Sequence, residues 1–276
     1  MLPQRPARLA ALTVIAVMLS GPGLCGASAA EQAGPAEQVL IPLDPLPFDV
    51  KGYLRRPDGA GPFPGVILIP ACDPYLGVAD RDWGLTLSSW GYVALTLDVF
   101  TPHNVPGQDG CVSPAPPELA DDVYRGLNLL VARKLVDPER VFVLGFGRGG
   151  SLAFAAVDRG DIVQRARHKF RAAIAFYPPC GDVKGFMTAP TLVIIGARDK
   201  KLDACRKLAK GEDDMGISRE RGAGADIKLF VLPDAYSGFD LPAFQKPVDA
   251  GGLHLEYSKA ATEQSKDVLR QFLRQQ

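Results

Sequence analysis

Apolar runs that are too short to be long helices recur along most of the chain. Six of them span 65–70, 92–100, 141–145, 172–177, 191–199 and 227–236. Runs that are apolar at nearly every position are typical of strands buried on both faces of a parallel sheet. The sequence therefore predicts a sheet of six or so strands.

Helical spacing of apolar residues separates these runs. A helix is predicted over 117–134, another over about 150–157 and a third over 258–275. The apolar face of the first holds Leu119, Val123, Leu127, Leu130 and Val131, and that of the last holds Ala261, Val268, Leu269, Phe272 and Leu273. Alternating strands and helices predict the α/β fold class, with a mostly parallel sheet and helices on both faces.

Two stretches lack either pattern. Residues 31–47 are rich in Pro, Ala, Glu and Gln, and are predicted to be a lead-in to the domain. Residues 211–226 are polar and are predicted to be a solvent-exposed loop. No linker or internal repeat interrupts the remainder, so residues 31–276 are predicted to form a single domain.

The first 30 residues have the pattern of a secretory signal peptide. Arg5 and Arg8 precede the apolar segment 9–19, and small residues follow at 27–30. The apolar segment is shorter than a helix that spans a bilayer, although a membrane anchor is the alternative. We expect residues 1–30 to be removed on export to the periplasm or the medium, leaving no membrane span.

Charge and composition exclude some partners. Hydrophobic residues make up 47% of the chain and charged residues 22%, as in ordinary globular proteins. Removing Arg5 and Arg8 from 31 basic and 31 acidic side chains leaves a net charge of about −2. This balance attracts neither nucleic acid nor anionic membranes, so a small molecule is the expected partner.

Signal-peptide cleavage also changes the cysteine count. Cys25 is removed, and Cys72, Cys111, Cys180 and Cys205 remain. An even number of cysteines in an exported chain favours two disulfides, with three possible connectivities. Four buried thiols are the alternative.

The glycine-rich segment VFVLGFGRGGSLA, at 141–153, has two interpretations. Gly145, Gly147 and Gly150 match the dinucleotide-binding pattern GxGxxG. Gly145 and Gly149 match the GxSxG nucleophile elbow, with Gly147 where the nucleophile belongs. A dinucleotide site needs an acid at the end of the next strand, and the strand at 172–177 lacks one.

The sequence therefore favours the elbow and predicts no cofactor. Three scattered histidines, without an HExxH or CxxC motif, predict no metal site either.

Two later strand ends carry the next pieces of a hydrolase site. Asp199 ends the run VIIGARD, and Ser237 lies in the phrase LPDAYSGFD. With these phrases in this order, the sequence from about residue 51 to 273 resembles the dienelactone hydrolase family, which has the α/β-hydrolase fold. That family typically has a phrase like YHGF, whose histidine is the general base, and Ser237 stands at its place.

The resemblance implies which residues form the site. The triad-equivalent positions are Gly147, Asp199 and Ser237, of which Asp199 keeps its type. Ala71 stands where the family has a glycine near its oxyanion site, and Cys72 and Arg148 are expected at the pocket. The resemblance further implies disulfides that join Cys72 to Cys111 and Cys180 to Cys205.

These substitutions remove the parts that hydrolysis needs. Gly147 has no side chain to attack a carbonyl, and Ser237 has no useful basicity at neutral pH. We therefore expect a catalytically impaired protein or pseudoenzyme, in which the backbone N–H of Arg148 still faces a bound carbonyl or carboxylate. An active ester or lactone hydrolase that uses non-standard residues is the alternative, and a dinucleotide-dependent oxidoreductase is a more distant one.

Overall fold

The strands and helices follow one another in the order that an α/β domain requires. A computed structural model describes residues 1, 36–72, 75–105, 113–181, 183–213, 216–217, 219–220 and 222–276. The strands are β1 (Glu37–Pro42), β2 (Asp49–Arg55), β3 (Phe63–Ile69), β4 (Val93–Asp98), β5 (Val136–Phe146), β6 (Ala172–Phe176), β7 (Thr191–Gly196), β8 (Glu212–Asp213), β9 (Gly216–Ile217), β10 (Ile227–Leu232), β11 (Val248–Ala250) and β12 (Leu253–Leu255). The helices are α1 (Leu76–Ala79), α2 (Leu85–Ser89), α3 (Ala120–Ala132), α4 (Arg148–Ala155), α5 (Asp161–Arg165), α6 (Leu202–Lys210) and α7 (Lys259–Gln275).

Eight strands form one sheet in the order β1-β2-β4-β3-β5-β6-β7-β10. The two edge pairings, β1 with β2 and β2 with β4, are antiparallel. From β4 to β10 all neighbours are parallel. The carboxyl ends of β5, β7 and β10 therefore meet at one edge of the sheet, where α/β proteins usually bind ligands.

The six predicted apolar runs become β3, β4, β5, β6, β7 and β10. Every residue of β4, β6 and β7 is buried, as a strand covered on both faces requires. Since these strands form the parallel part of the sheet, the predicted fold class is confirmed.

The predicted helices also form, with slightly shifted ends. In α3, Val123, Leu127 and Leu130 are buried. In α7, Leu269, Phe272 and Leu273 are buried. Ser258 caps α7, because its hydroxyl oxygen accepts a hydrogen bond from the Ala261 N–H at 3.3 Å. The helix at 76–89, made of α1, a π-helical turn (Asp80–Gly84) and α2, has no counterpart in the sequence-based prediction.

Both stretches without a pattern contain short strands that the sequence-based prediction did not include. The lead-in 31–47 contains strand β1, in which Val39 and Ile41 face the core and Leu40 between them is exposed. The polar stretch 211–226 contains β8 and β9, which pair antiparallel. Within it the Arg219 guanidinium donates to the carbonyl oxygens of Gly185 and Leu208. Backbone hydrogen bonds between β8 and β9 thus form a short strand pair despite the polar composition of this stretch.

Contacts group the chain from Ala33 to Gln276 as one compact unit. It contains the whole eight-stranded sheet and its hydrophobic core. The predicted signal peptide, apart from Met1, lies outside the described residues. In the described part of the chain, no helix has the length and apolar character needed to cross a bilayer.

Candidate functional site

A sharp turn between β5 and α4 forms one side of the site. Its central residue, Gly147, has φ 51° and ψ −116°, a conformation that residues with a side chain adopt only with strain. The turn is held by the Gly147 N–H, which donates to the Phe176 carbonyl oxygen at 2.9 Å. The elbow backbone is therefore present, but no nucleophilic side chain stands on it.

The glycines on either side of the turn allow close packing. A Cβ atom at Gly145 would lie 2.0 Å from the Gly149 carbonyl oxygen. A Cβ atom at Gly149 would lie 2.1 Å from the Ile69 carbonyl oxygen. Both distances are far inside van der Waals contact, so these two glycines let α4 pack against β5 and β3. This steric requirement accounts for the spacing of the glycine-rich segment.

The acid position follows β7. The Asp199 side chain is fully buried, and its Oδ1 accepts a hydrogen bond from the Lys201 backbone N–H at 2.9 Å. Its Oδ2 is buried without a hydrogen-bond partner and lies 3.6 Å from the Lys201 Nζ. The Asp199 carboxylate therefore faces the Lys201 ammonium, whereas the acid of a hydrolase triad faces a histidine.

The base position follows β10. Ser237 is only 2% exposed and lies in the wall of the cleft that also contains Gly147. Its Oγ accepts a hydrogen bond from the Lys201 Nζ at 2.9 Å. Lys201 therefore links Ser237 to Asp199. Gly147, Lys201 and Ser237 line one cleft, and Asp199 contacts Lys201 without lining it.

Lys201 is a site residue that the sequence-based reasoning missed. Its side chain is 15% exposed and lies in the cleft wall. Burial lowers the pKa of the Lys201 ammonium, and the Asp199 carboxylate partly offsets this effect. The ammonium also lies 5.8 Å from the centre of the Tyr177 ring. The one signal in the sequence is a lysine two residues after the strand-end acid, a position that does not reveal where the side chain points.

The cleft is mostly apolar. Its cavity volume is about 40 Å³. Its lining residues are Pro70, Ala71, Tyr75, Val78, Ala79, Asp82, Trp83, Phe146, Gly147, Tyr177, Lys201, Ser237, Gly238, Asp240, Leu241, Phe244, Leu253 and Leu255. Phe244, Leu253 and Leu255 form a small apolar cluster apart from the main core, and they cover one side of the cleft. Apolar walls that carry a few polar groups are typical of sites that bind small molecules.

Asp240 adds a further polar side chain to the wall of the cleft. Its carboxylate accepts hydrogen bonds from the Tyr177 hydroxyl at 2.7 Å and from the Trp83 Nε1–H at 2.8 Å. Burial raises the pKa of the Asp240 carboxyl, and the two hydrogen bonds partly offset the rise. Tyr177 has φ 40°, so its backbone is strained at the position that faces both Asp240 and Lys201. Sequence patterns gave no indication of this network.

The expected pocket residues divide into two groups. Ala71 lines the cleft, as expected. Cys72 instead lines a separate small cavity beside Leu76 and Phe100. The Arg148 side chain also lies outside the cleft lining. Arg148 is 3% exposed, and its Nε–H donates to the Ser113 carbonyl oxygen at 3.1 Å. The side chain therefore packs away from the cleft.

The disulfides hold the loops around the sheet edge. Cys180, after β6, is joined to Cys205, in α6, as the family resemblance implies. Cys72 is also disulfide-bonded. Cys111 lies outside the described residues. In the part of the chain that the structure describes, no group of three or more His, Cys, Asp or Glu side chains is arranged to hold a metal ion.

Sequence comparisons with known proteins give matches over much of the chain. The family model described as "Dienelactone hydrolase family" matches residues 50–276. A curated relative from Bradyrhizobium sp, named "Probable 2-oxo-3-(5-oxofuran-2-ylidene)propanoate lactonase", is 26% identical over 199 residues, which cover 62% of this chain and 76% of that protein.

Solved structures are similar over nearly the whole sheet. A candidate dienelactone hydrolase from Klebsiella pneumoniae has a TM-score of 0.67 at 20% identity, covering 87% of this chain and 98% of that one. Esterase 2 of Thermogutta terrifontis, phosphoramylated by tabun, has a TM-score of 0.64 at 16% identity, covering 88% and 96%. At such low identity these likenesses show the fold.

Proposed function

Because the chain belongs to the dienelactone hydrolase family and has its α/β-hydrolase fold, but has Gly147 and Ser237 at the nucleophile and base positions, we propose that it binds a small carbonyl or carboxylate compound without cleaving it. The observation that carries this proposal is the elbow itself. Its backbone is formed and faces the cleft, and the residue at its centre is glycine.

The chemistry of these substitutions supports loss of hydrolysis at the elbow. Acyl transfer needs an oxygen or sulfur nucleophile next to a base, and Gly147 has neither atom. A serine hydroxyl does not accept a proton near neutral pH as an imidazole does. The space between Ser237 and Asp199 is occupied by the Lys201 ammonium, which lies within 3.6 Å of both side chains.

Other features of the cleft favour binding of an oxygen ligand. The Lys201 ammonium gives the apolar wall a positive charge. Helix α4 begins directly after Gly147, and its N-terminal end carries the partial positive charge of the helix dipole. The Bradyrhizobium relative is named for a lactone that carries a 2-oxo acid, and this name supports carbonyl and carboxylate groups as ligand features.

Two measurements test the proposal. The purified protein is assayed with small activated esters and lactones, and hydrolysis at the rate of buffer alone is expected. Binding of benzoate and of methyl benzoate is then measured by calorimetry. Binding that is weakened by a bulky Ala71→Phe substitution, with the exposed Lys200→Arg variant as a control, would support the proposed cleft site. Rapid turnover by the unmodified chain, or no binding of either compound, would contradict it.

A second candidate function rests on the 2.9 Å contact between Ser237 Oγ and Lys201 Nζ. Serine paired with lysine is a known nucleophile and base combination. In this case Ser237 would attack an ester or lactone, and a neutral Lys201 would take its proton. Ester hydrolysis by the unmodified chain that disappears in Ser237→Ala would favour this candidate. The position of Ser237 argues against it, since Ser237 follows β10 and does not stand on the turn between β5 and α4, where the family's nucleophile lies.

We also propose that residues 1–30 direct export of the chain. The order of Arg5, Arg8, the apolar segment 9–19 and the small residues 27–30 supports this, and so does the Cys180–Cys205 disulfide, because such bonds persist in oxidising compartments. Recovery of a chain that begins near Glu31 from the periplasm or the medium is the expected result. A full-length chain retained in the cytoplasm would contradict it.

A further inference from the structure

We propose that Lys201 captures aldehydes and ketones in the cleft as reversible imines. The inference deepens the proposed binding function and rests on it, because it narrows the carbonyl ligand to one that a primary amine attacks. It assigns a covalent role to a lysine that the family's hydrolytic site does not require.

The position of the amine carries the argument. Among the described residues that line the cleft, Lys201 is the one lysine, and it stands beside the apolar side chains that would hold the body of a ligand. Its side chain is mostly buried, and Ser237 and Asp199 fix its Nζ from two sides. A carbonyl compound in the cleft therefore meets an amine that is already oriented.

Burial also favours the reactive form of the amine. Only a neutral amine attacks a carbonyl, and desolvation lowers the pKa of Lys201 despite the opposing charge of Asp199. Lysines desolvated in apolar pockets are activated as nucleophiles in the same way. The apolar walls limit access of water, which would otherwise hydrolyse an imine.

The reaction balances without a cofactor. The neutral Lys201 amine forms a C–N bond to the carbonyl carbon, and the carbonyl oxygen gains a proton to give a carbinolamine. Loss of that hydroxyl as water then forms the C=N bond. Overall, an ammonium and a carbonyl compound give a protonated imine and one water molecule.

Two neighbours assist this sequence as positioning residues. The Ser237 hydroxyl, 2.9 Å from the Nζ, is close enough to relay a proton between nitrogen and the departing oxygen. The Asp199 Oδ2, buried without a hydrogen-bond partner, lies 3.6 Å from the Nζ and places a negative charge near the protonated imine. The buried Asp199 Oδ2 would thus stabilise the positive charge of the protonated imine.

The test is reductive trapping on the full chain. The protein is incubated with benzaldehyde or cyclohexanone in the presence of cyanoborohydride, and the modified lysines are identified by peptide mass mapping. Lys200 is a matched internal control, since it is the adjacent lysine in the chain and is exposed. Variants Lys201→Arg and Lys200→Arg keep the charge, and circular dichroism checks that each is folded.

We expect Lys201 to be labelled at least about tenfold faster than Lys200, because a carbonyl compound bound in the cleft is held beside the Lys201 amine and reacts at a raised effective concentration. The Lys200→Arg variant should keep the Lys201 adduct, and the Lys201→Arg variant should lose it. Equal labelling of both lysines in the unmodified chain would overturn the proposal, whatever the variants do.

Calorimetry with benzoate separates this inference from the binding function on which it rests. Benzoate cannot form an imine. If benzoate binds and Lys201 is not labelled preferentially, the imine proposal fails and the binding function stands. If neither benzoate nor methyl benzoate binds and Lys201 is not labelled, both fail.

Discussion

At the residue scale, the site is defined by what Gly147, Ser237 and Lys201 each supply. Gly147 keeps a turn that side chains adopt only with strain, and so retains the shape of an elbow without its chemistry. Ser237 is a small hydroxyl in place of an imidazole, and the Lys201 ammonium contacts it at 2.9 Å. Under the proposed function, these three residues convert a hydrolytic arrangement into a positively charged binding site.

The conformation of Gly147 predicts a stability effect. We expect Gly147→Ala to lower the free energy of unfolding by about 1–3 kcal/mol, because a non-glycine residue would be forced into a sparsely populated backbone region. Urea denaturation of both proteins measures the difference. Gly181→Ala is the control, because a Cβ atom there meets nothing within 4 Å. The control should stay within about 0.5 kcal/mol of the unmodified protein. Equal stability of all three proteins would show that the turn is not strained.

The buried carboxyl of Asp240 predicts a pH dependence. Because burial raises its pKa in the folded state, the folded protein binds more protons than the unfolded chain above about pH 4. Stability therefore falls as the pH rises from there through the folded-state pKa. In Asp240→Asn the amide oxygen can still accept from Trp83 and the amide nitrogen can donate to the Tyr177 oxygen.

Melting temperatures between pH 4 and pH 7 test this expectation. The unmodified protein should lose more stability than Asp240→Asn as the pH rises across this range. Asp203→Asn, at an exposed carboxylate, serves as the control and should follow the unmodified protein. Parallel curves for the unmodified protein and Asp240→Asn would contradict the assignment.

At the element scale, the site is built from loops that follow β5, β7 and β10. These strands lie in the parallel part of the sheet, so their carboxyl ends converge without any special contact between the loops. The Cys180–Cys205 disulfide adds a tether between the loop after β6 and helix α6, which begins directly after Lys201.

That tether predicts a measurable contribution to stability. The bond joins residues that are 25 apart in the sequence. Replacing both cysteines, as Cys180→Ala with Cys205→Ala, should lower the free energy of unfolding by about 3 kcal/mol, because the unfolded chain gains the freedom of an open loop. Urea denaturation under non-reducing conditions measures it. A loss below about 0.5 kcal/mol would show that packing alone holds α6 in place.

The apolar strands are predictable from sequence because burial on both faces leaves few polar positions in them. Strand β1 is not, because its apolar run, Val39 to Ile41, is only three residues long and lies in a stretch rich in Pro, Ala, Glu and Gln. The helix at 76–89 is also missed, since its α-helical pieces are short and a π-helical turn breaks their spacing.

At the scale of the whole molecule, family phrases located the triad-equivalent positions, because order along the chain fixes which strand ends they follow. Lys201 and Asp240 could not be found this way. Each contributes through the direction of its side chain, which depends on loop geometry and on partners such as Tyr177 that are distant in sequence. The same limit explains the error at Arg148, whose side chain packs near Ser113.

The account depends on a cleft that keeps hydrolase geometry while the reactive groups are gone. Restoring those groups tests it most directly. Gly147→Ser supplies the nucleophile and Ser237→His the base, and Lys201→Ala removes the ammonium from the place an imidazole needs beside Asp199. The matched control carries Gly147→Ser and Lys201→Ala and leaves Ser237 unchanged.

Initial rates of p-nitrophenyl acetate hydrolysis, with folding checked by circular dichroism, give the answer. The account predicts that the triple variant hydrolyses the ester at least about 10²-fold faster than the unmodified protein and the control, as expected for a positioned base acting on a nucleophile. A folded triple variant no faster than the control, or an unmodified protein as fast as the triple variant, would contradict it.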